Sequence, residues 1–213
     1  SAIDLSRINP TELSNIEVSN SQINTSTDPD FNYELVGFRL DNMGLNSSVI
    51  VKRDNQEFVI QKGDLLHCDF GITYIGLNTD CQQHAYVLKD NETSVPEYLV
   101  TAFKKGNRLQ DILTTTMQEG KTGNEILLSS LSTAKKEGLR PSIYTHPLGK
   151  YGHSAGTTIG MWDSQGVVPF NGDYSLHKNT VYAIELNVTV SIPEWQKDIR
   201  IMLEVPGFFG EDG

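Results

Sequence analysis

Apolar and polar residues along this chain fall into three regimes. Over the first 44 positions Asn, Ser and Thr dominate and neither helical nor strand periodicity is sustained, which predicts a loop-like arm. From Ser47 onward, SSVIVK, EFVIQKGDLLHCDFGITYIG and AYVLKD are β-branched and aromatic runs broken by turn residues, and they predict successive strands. Near Thr93 the period changes. Ser94, with Glu97 three residues on and Pro96 in the first turn, has the form of a capping box. Leu99, Ala102, Phe103, Leu109, Ile112 and Leu113 then supply a helical apolar face, which Gly106 weakens in its middle. A second helix is predicted from Thr122 through Ile126, Leu127, Leu131 and Ala134, with its stop at Gly138. After it the β pattern returns. TVYAIELNVTVSI reads as a long strand, and KDIRIMLEV pairs with it antiparallel across the turn around Pro193 to Lys197.

Strands, two helices, then strands predict an α+β domain with its helices on one face of a curved antiparallel sheet. A length of 213 residues fits one domain spanning 1–213, with 1–44 as the arm. Hydrophobic residues at 38% and charged residues at 21% match a soluble globular protein. No apolar run approaches a membrane span, and no basic-then-apolar leader precedes the domain. The compartment stays open between cytoplasmic and exported. A formal charge of -10 argues against nucleic acid as a partner, since phosphate binding needs a basic surface.

The chemistry concentrates in three places. In GDLLHCDFGITYIGLNTDCQQHAYV, Asp69 and Asp80 lie eleven apart inside apolar strand pattern, where a buried carboxylate is costly. A hairpin with Asp69 facing Asp80 would point both from one face and call for a cation between them. The same register would set Cys68 against Cys81 on the other face, as two buried thiols rather than a disulfide. From this segment alone, turn or edge carboxylates are the favoured reading. In THPLGKYGHSAGTTIG, His146 and His153 stand seven apart among glycines. Either is a plausible metal ligand or carbonyl polariser, or an ordinary core or surface histidine. Glu185 in YAIELNV and Glu204 in RIMLEV interrupt strands of Val, Ile, Leu and Met, and alternation alone leaves their faces undecided. Taken together, two Asp, one or two His and two Glu form an oxygen-rich set suited to two divalent ions rather than to a thiolate zinc site.

The order and spacing of these motifs over roughly residues 45–213 resemble the pita-bread metallopeptidases: methionine aminopeptidase, aminopeptidase P and prolidase. HPLGKYGHSAGTTIGMWD looks most like bacterial proteins labelled Xaa-Pro aminopeptidase. The resemblance implies a pita-bread fold and a dinuclear exopeptidase that hydrolyses the N-terminal bond of short peptides through a metal-bridging hydroxide. Mn²⁺ is the expected ion, with Co²⁺, Zn²⁺ and Fe²⁺ as alternatives. It implies Asp69 on one ion, His146 on the other, and Asp80 and Glu204 bridging both. Glu185 would be ligand and general base, and His153 would hydrogen-bond the scissile carbonyl. Lys52 and Ser142 stand where the family, or its proline-specific members, carry further histidines, and both bear on Xaa-Pro specificity. About fifty residues precede the first hairpin, too few for the family's first helix pair. The chain then reads as a form lacking that pair or as part of a longer one, its sheet covered by a second copy or a further segment. The alternative function is a retired pita-bread domain that binds peptides or proteins without turnover.

Overall fold

Alternation along TVYAIELNVTVSI decides where the core lies. In the computed structural model, residues 60–211 are described in full, together with the strand backbones of 19–25, 28–40, 47–53 and 56–59. The strands are β1 (Ser19–Thr25), β2 (Asp28–Leu40), β3 (Ser47–Arg53), β4 (Gln56–Val59), β5 (Leu65–Gly71), β6 (Thr73–Tyr74), β7 (Leu77–Asn78), β8 (Cys81–Tyr86), β9 (Pro141–Ile143), β10 (His146–Pro147), β11 (Thr180–Ile192) and β12 (Lys197–Phe209). Helices α1 (Glu97–Thr116) and α2 (Gly123–Lys136) lie between β8 and β9. All strands but β6 and β7 join one antiparallel sheet in the order β10-β11-β12-β8-β5-β1-β2-β3-β4, with β9 also on β11.

In β11 the even-numbered residues Tyr182, Ile184, Leu186, Val188, Val190 and Ile192 are buried under the helices. Their partners across the long β11–β12 ladder are the odd-numbered Ile199, Ile201 and Leu203. Helix α1 lays Leu99, Ala102, Leu109, Ile112 and Leu113 on this face, and α2 adds Ile126, Leu127, Leu131 and Ala134. Gly106, expected to weaken α1, is buried where the helix meets Leu203 and Ile201. The opposite sheet face carries Glu185 and Glu204, a directly facing pair.

Thr122 caps α2 in a full capping box with Glu125, and Gly138 turns the chain out of the helix at φ +77°. Ser94 does not cap α1. Its N-cap is Pro96 with no side-chain cap, its carbonyl accepting from the backbone N–H groups of Leu99 and Val100. Glu97 is thus the first helical residue instead of the third, because Pro96 carries extended ψ of 139° into the helix.

The arm expected over 1–44 needs correcting. Positions 1–18, 26–27 and 41–44 lie outside the described residues, but β1 and β2 are strands of the main sheet. β1 is SNSQINT, with one large apolar residue, and it is placed by pairing on both sides with β5 and β2. β2 does alternate, through Phe31, Tyr33 and Leu35, but a register shift between Leu35 and Gly37 moves the pattern to Phe38 and Leu40.

The hairpin register is also corrected, by two positions. Asp69 faces Gln82, not Asp80, and Cys68 faces Gln83, not Cys81. The turn centre is the cause. Ile75 and Gly76 both take positive φ, +50° and +76°, as a two-residue type I′ turn requires, and Gly76 supplies that conformation without strain. Parity survives the slip, so Asp69, Asp80 and Gln82 share a face, while Cys68 and Cys81 sit diagonally on the other as free thiols.

Between β8 and β12 the ladder holds one residue pair, Glu204 with Gln82. Beyond it the strands diverge, and His84 fills the seam. Its Nδ1–H donates to the Leu66 carbonyl at 3.1 Å, and its Nε2 accepts from the Met202 backbone N–H at 3.0 Å. Behind it opens an apolar pocket of about 220 Å³ lined by Leu65, Tyr86, Leu99, Phe103 and Ile201 among others.

Candidate metal centre

Each candidate residue is delivered by a different part of this sheet. Asp69 comes from β5, and Asp80 from the residue before β8. Glu185 and Glu204 come from β11 and β12, and His146 from β10, whose residue pairs with Ala183. Gly160 allows the 146–160 loop to fold back here: at φ +77°, an added Cβ would lie 2.0 Å from the Ile143 carbonyl oxygen. His153 sits on the same loop, exposed to solvent, with its ring 4.2 Å from that of His146.

Three overlapping trios bring one ligand atom per residue within 4.8 Å of one another: Asp80, His146 and His153; His146, Glu185 and Glu204; Asp69, Asp80 and Glu204. All six residues singled out from the sequence therefore converge. Their electrostatics are those of crowded anions. Burial, then Asp80 and Glu185, push the Asp69 carboxyl up to about 7. Burial, then Glu185, Asp80 and Asp69, push Glu204 up to about 9. Burial also raises Asp80, and burial followed by His146 lowers His153.

Crowded acceptors of this kind call for protons or a cation between them. His146 Nδ1 lies 3.2 Å from the Pro147 carbonyl, which only accepts, so Nδ1 carries the proton. His146 Nε2 faces Glu185 Oε2 at 3.7 Å and Glu204 Oε1 at 3.8 Å. Among the described residues, His146 Nε2 and Glu204 Oε1 are buried side-chain atoms with no hydrogen-bond partner. Metal-free protein relieves this crowding by keeping protons on Asp69 and Glu204, and a cation bound there would take the place of those protons. Imidazole and carboxylate donors suit a divalent ion of the Mn²⁺ to Zn²⁺ series, so the residues present fit such a group.

Gln82, His67 and Tyr144 belong to the site as well, and sequence reasoning missed them. Gln82 Nε2 donates to Glu185 Oε1 at 2.9 Å and to Glu204 Oε2 at 3.0 Å. Its Oε1 accepts from His67 Nε2 at 2.9 Å. Burial, then His84, lowers His67 to about 4, so its ring is neutral. Tyr144 stacks on His153 at 5.8 Å and 17°. The signal for the first two was period-two continuation: 67 precedes Asp69 by two, and 82 follows Asp80 by two. Ser142 pairs with Asn187 on β11, and Lys52 stands in β3 with its side chain outside the described residues.

Residues 38–205 match the model of metallopeptidase family M24. The fold is similar to that of an X-Pro aminopeptidase from Thermotoga maritima, with TM-score 0.62 and 16% identity over 92% of this chain and 46% of that one. It is similar to a methionine aminopeptidase from Rickettsia prowazekii, with TM-score 0.53 and 13% identity over 91% of this chain and 71% of that one. It is also similar to the N-terminal domain of the FACT complex subunit SPT16 from Cicer arietinum, with TM-score 0.58 and 10% identity over 94% of this chain and 42% of that one. The chain thus spans less than half the length of two of these three. No curated protein sequence matches this one.

Proposed function

Because the chain belongs to metallopeptidase family M24, with its pita-bread fold, we propose that it is a metal-dependent aminopeptidase that removes the first residue of short peptides. The observation that carries this reading is the meeting of His146 Nε2, Glu185 Oε2 and Glu204 Oε1, with two of the three buried and lacking a hydrogen-bond partner. Asp69, Asp80, His146, Glu185 and Glu204 would hold two divalent ions, Mn²⁺ first among them. Bound there, such ions supply Lewis acidity, lowering the pKa of water and polarising a carbonyl.

The chain's own groups divide the remaining work. Glu185 has a side chain 23% exposed against 2% for Glu204, so of the two glutamates it is the one able to exchange a proton with solvent and serve as general base. His153, exposed beside the cluster and stacked on Tyr144, would donate to the scissile carbonyl oxygen. The acidic surroundings would hold the ammonium of a peptide N-terminus.

The test is elemental analysis of purified protein, then assay with Mn²⁺ or Co²⁺ on Xaa-Pro and Met-initiated peptides. About two ions per chain and turnover lost in Glu185→Gln are expected, and activity persisting in Glu185→Gln or in fully metal-stripped protein would refute the reading. The second reading, a peptide- or protein-binding module, draws on the likeness to the SPT16 domain. It predicts peptide binding with neither bound metal nor turnover.

A further inference from the structure

We propose that Gln82 is a positioning residue for the metal centre, a forked amide that aims both glutamates and is itself oriented by His67; the proposal rests on the metal-dependent reading above. Geometry separates the carboxylate oxygens into two sets. Those nearest His146 Nε2 are Glu185 Oε2 and Glu204 Oε1. Those held by the Gln82 amide are the other two, Glu185 Oε1 at 2.9 Å and Glu204 Oε2 at 3.0 Å. One planar amide thus grips both carboxylates from behind and turns their remaining oxygens toward the imidazole. A carboxylate oxygen with one hydrogen bond still has a lone pair for an ion, so the grip is compatible with coordination from either side.

Glutamine suits this place because of its charge. Facing glutamates on neighbouring strands repel, and Glu204 is almost wholly buried. A lysine or arginine there would satisfy the carboxylates but would compete with divalent cations for them. The neutral amide gives two N–H donors and leaves the negative charge in place. Its orientation is not left to chance. The amide oxygen faces His67 Nε2 at 2.9 Å, and since that oxygen only accepts, His67 donates and the flipped amide would lose its partner. The amide cannot drift either, because Gln82 is also the residue by which β8 joins β12, paired with Glu204 itself. Supporting groups of this kind tune metal affinity by orienting the ligands.

The experiment uses the full chain and compares it with Gln82→Met, which keeps side-chain length and removes both donors. Mn²⁺ affinity by titration, the Co²⁺ absorption spectrum and the thermal midpoint of metal-free protein are read for each. The expected result is an affinity for Mn²⁺ about 10–100-fold weaker, changed Co²⁺ bands and a metal-free protein that is still folded, its midpoint lowered by the lost hydrogen bonds. His67→Leu should shift affinity and spectrum in the same direction by less, because the amide remains but can turn. Unchanged affinity and spectrum in folded Gln82→Met overturn the proposal. Should that variant not fold, unchanged values in His67→Leu overturn it instead. If the unaltered protein binds no divalent ion, the metal-dependent reading fails and takes the proposal with it. Tight binding by the unaltered protein and equal binding by the variants sinks the proposal alone.

Discussion

Glu185 and Glu204 face each other across the β11–β12 ladder, on the sheet face turned away from the helices, with Glu204 buried, and that placement carries a measurable cost in metal-free protein. Asp69 and Glu204 are held up to about 7 and about 9, well above their ordinary 3.8 and 4.5. The folded chain therefore keeps protons that the unfolded chain releases. Stability falls as pH climbs from the ordinary carboxylate range through about 9, since the folded state binds more protons over that window. Urea midpoints of metal-stripped protein should decline from pH 5 to pH 9, and saturating Mn²⁺ should flatten the decline. A midpoint that rises with pH would contradict this account. A second expectation concerns His153, which is exposed and touches the cluster at its edge. His153→Ala should retain Mn²⁺ affinity to within a few-fold while turnover falls by about 10²–10³, the usual effect of losing one carbonyl-stabilising donor.

At the scale of elements, the β6–β7 turn offers the sharpest test. Ile75 is β-branched, 85% exposed and held at φ +50°, a conformation that such a residue adopts only under strain. Ile75→Asn would create Asn-Gly, the preferred type I′ pair, without removing buried surface. It should raise stability by about 1 kcal/mol, seen as a higher urea midpoint at constant slope. Conversely, Thr122→Ala removes the α2 cap and should cost about 1 kcal/mol. These elements also show what was legible beforehand. The α2 cap and the β11–β12 pair could be read from local patterns, because each depends on neighbours a few residues away, whereas the six convergent site residues were legible only through the order and spacing of their motifs along the chain, local pattern leaving each one open. The hairpin register could not be read from the spacing of Asp69 and Asp80, because Gly76 sets the turn centre. β1 escaped notice because two flanking strands, and not its own side chains, make it a strand. Gln82 was passed over as an ordinary polar strand residue, since its value lies in two glutamates more than a hundred positions away.

For the whole molecule, the family and the fold are settled, while the chain's share of its relatives varies from 42% to 71% among those compared. The helices and the β9–β12 strands form one packed unit around the core, while the β1–β5 and β8 strands meet it across a seam of one ladder pair. Asp69 and Asp80 come from one side of that seam, and His146, Glu185 and Glu204 from the other. An ion held by both sets would act as a removable rivet between two leaves. Stripped of ions, the leaf of β5 and β8 should then open locally ahead of global unfolding, its amides exchanging with solvent earlier than those of β11 and β12. Loaded with Mn²⁺, both leaves should exchange together, so the site would also govern how the molecule comes apart.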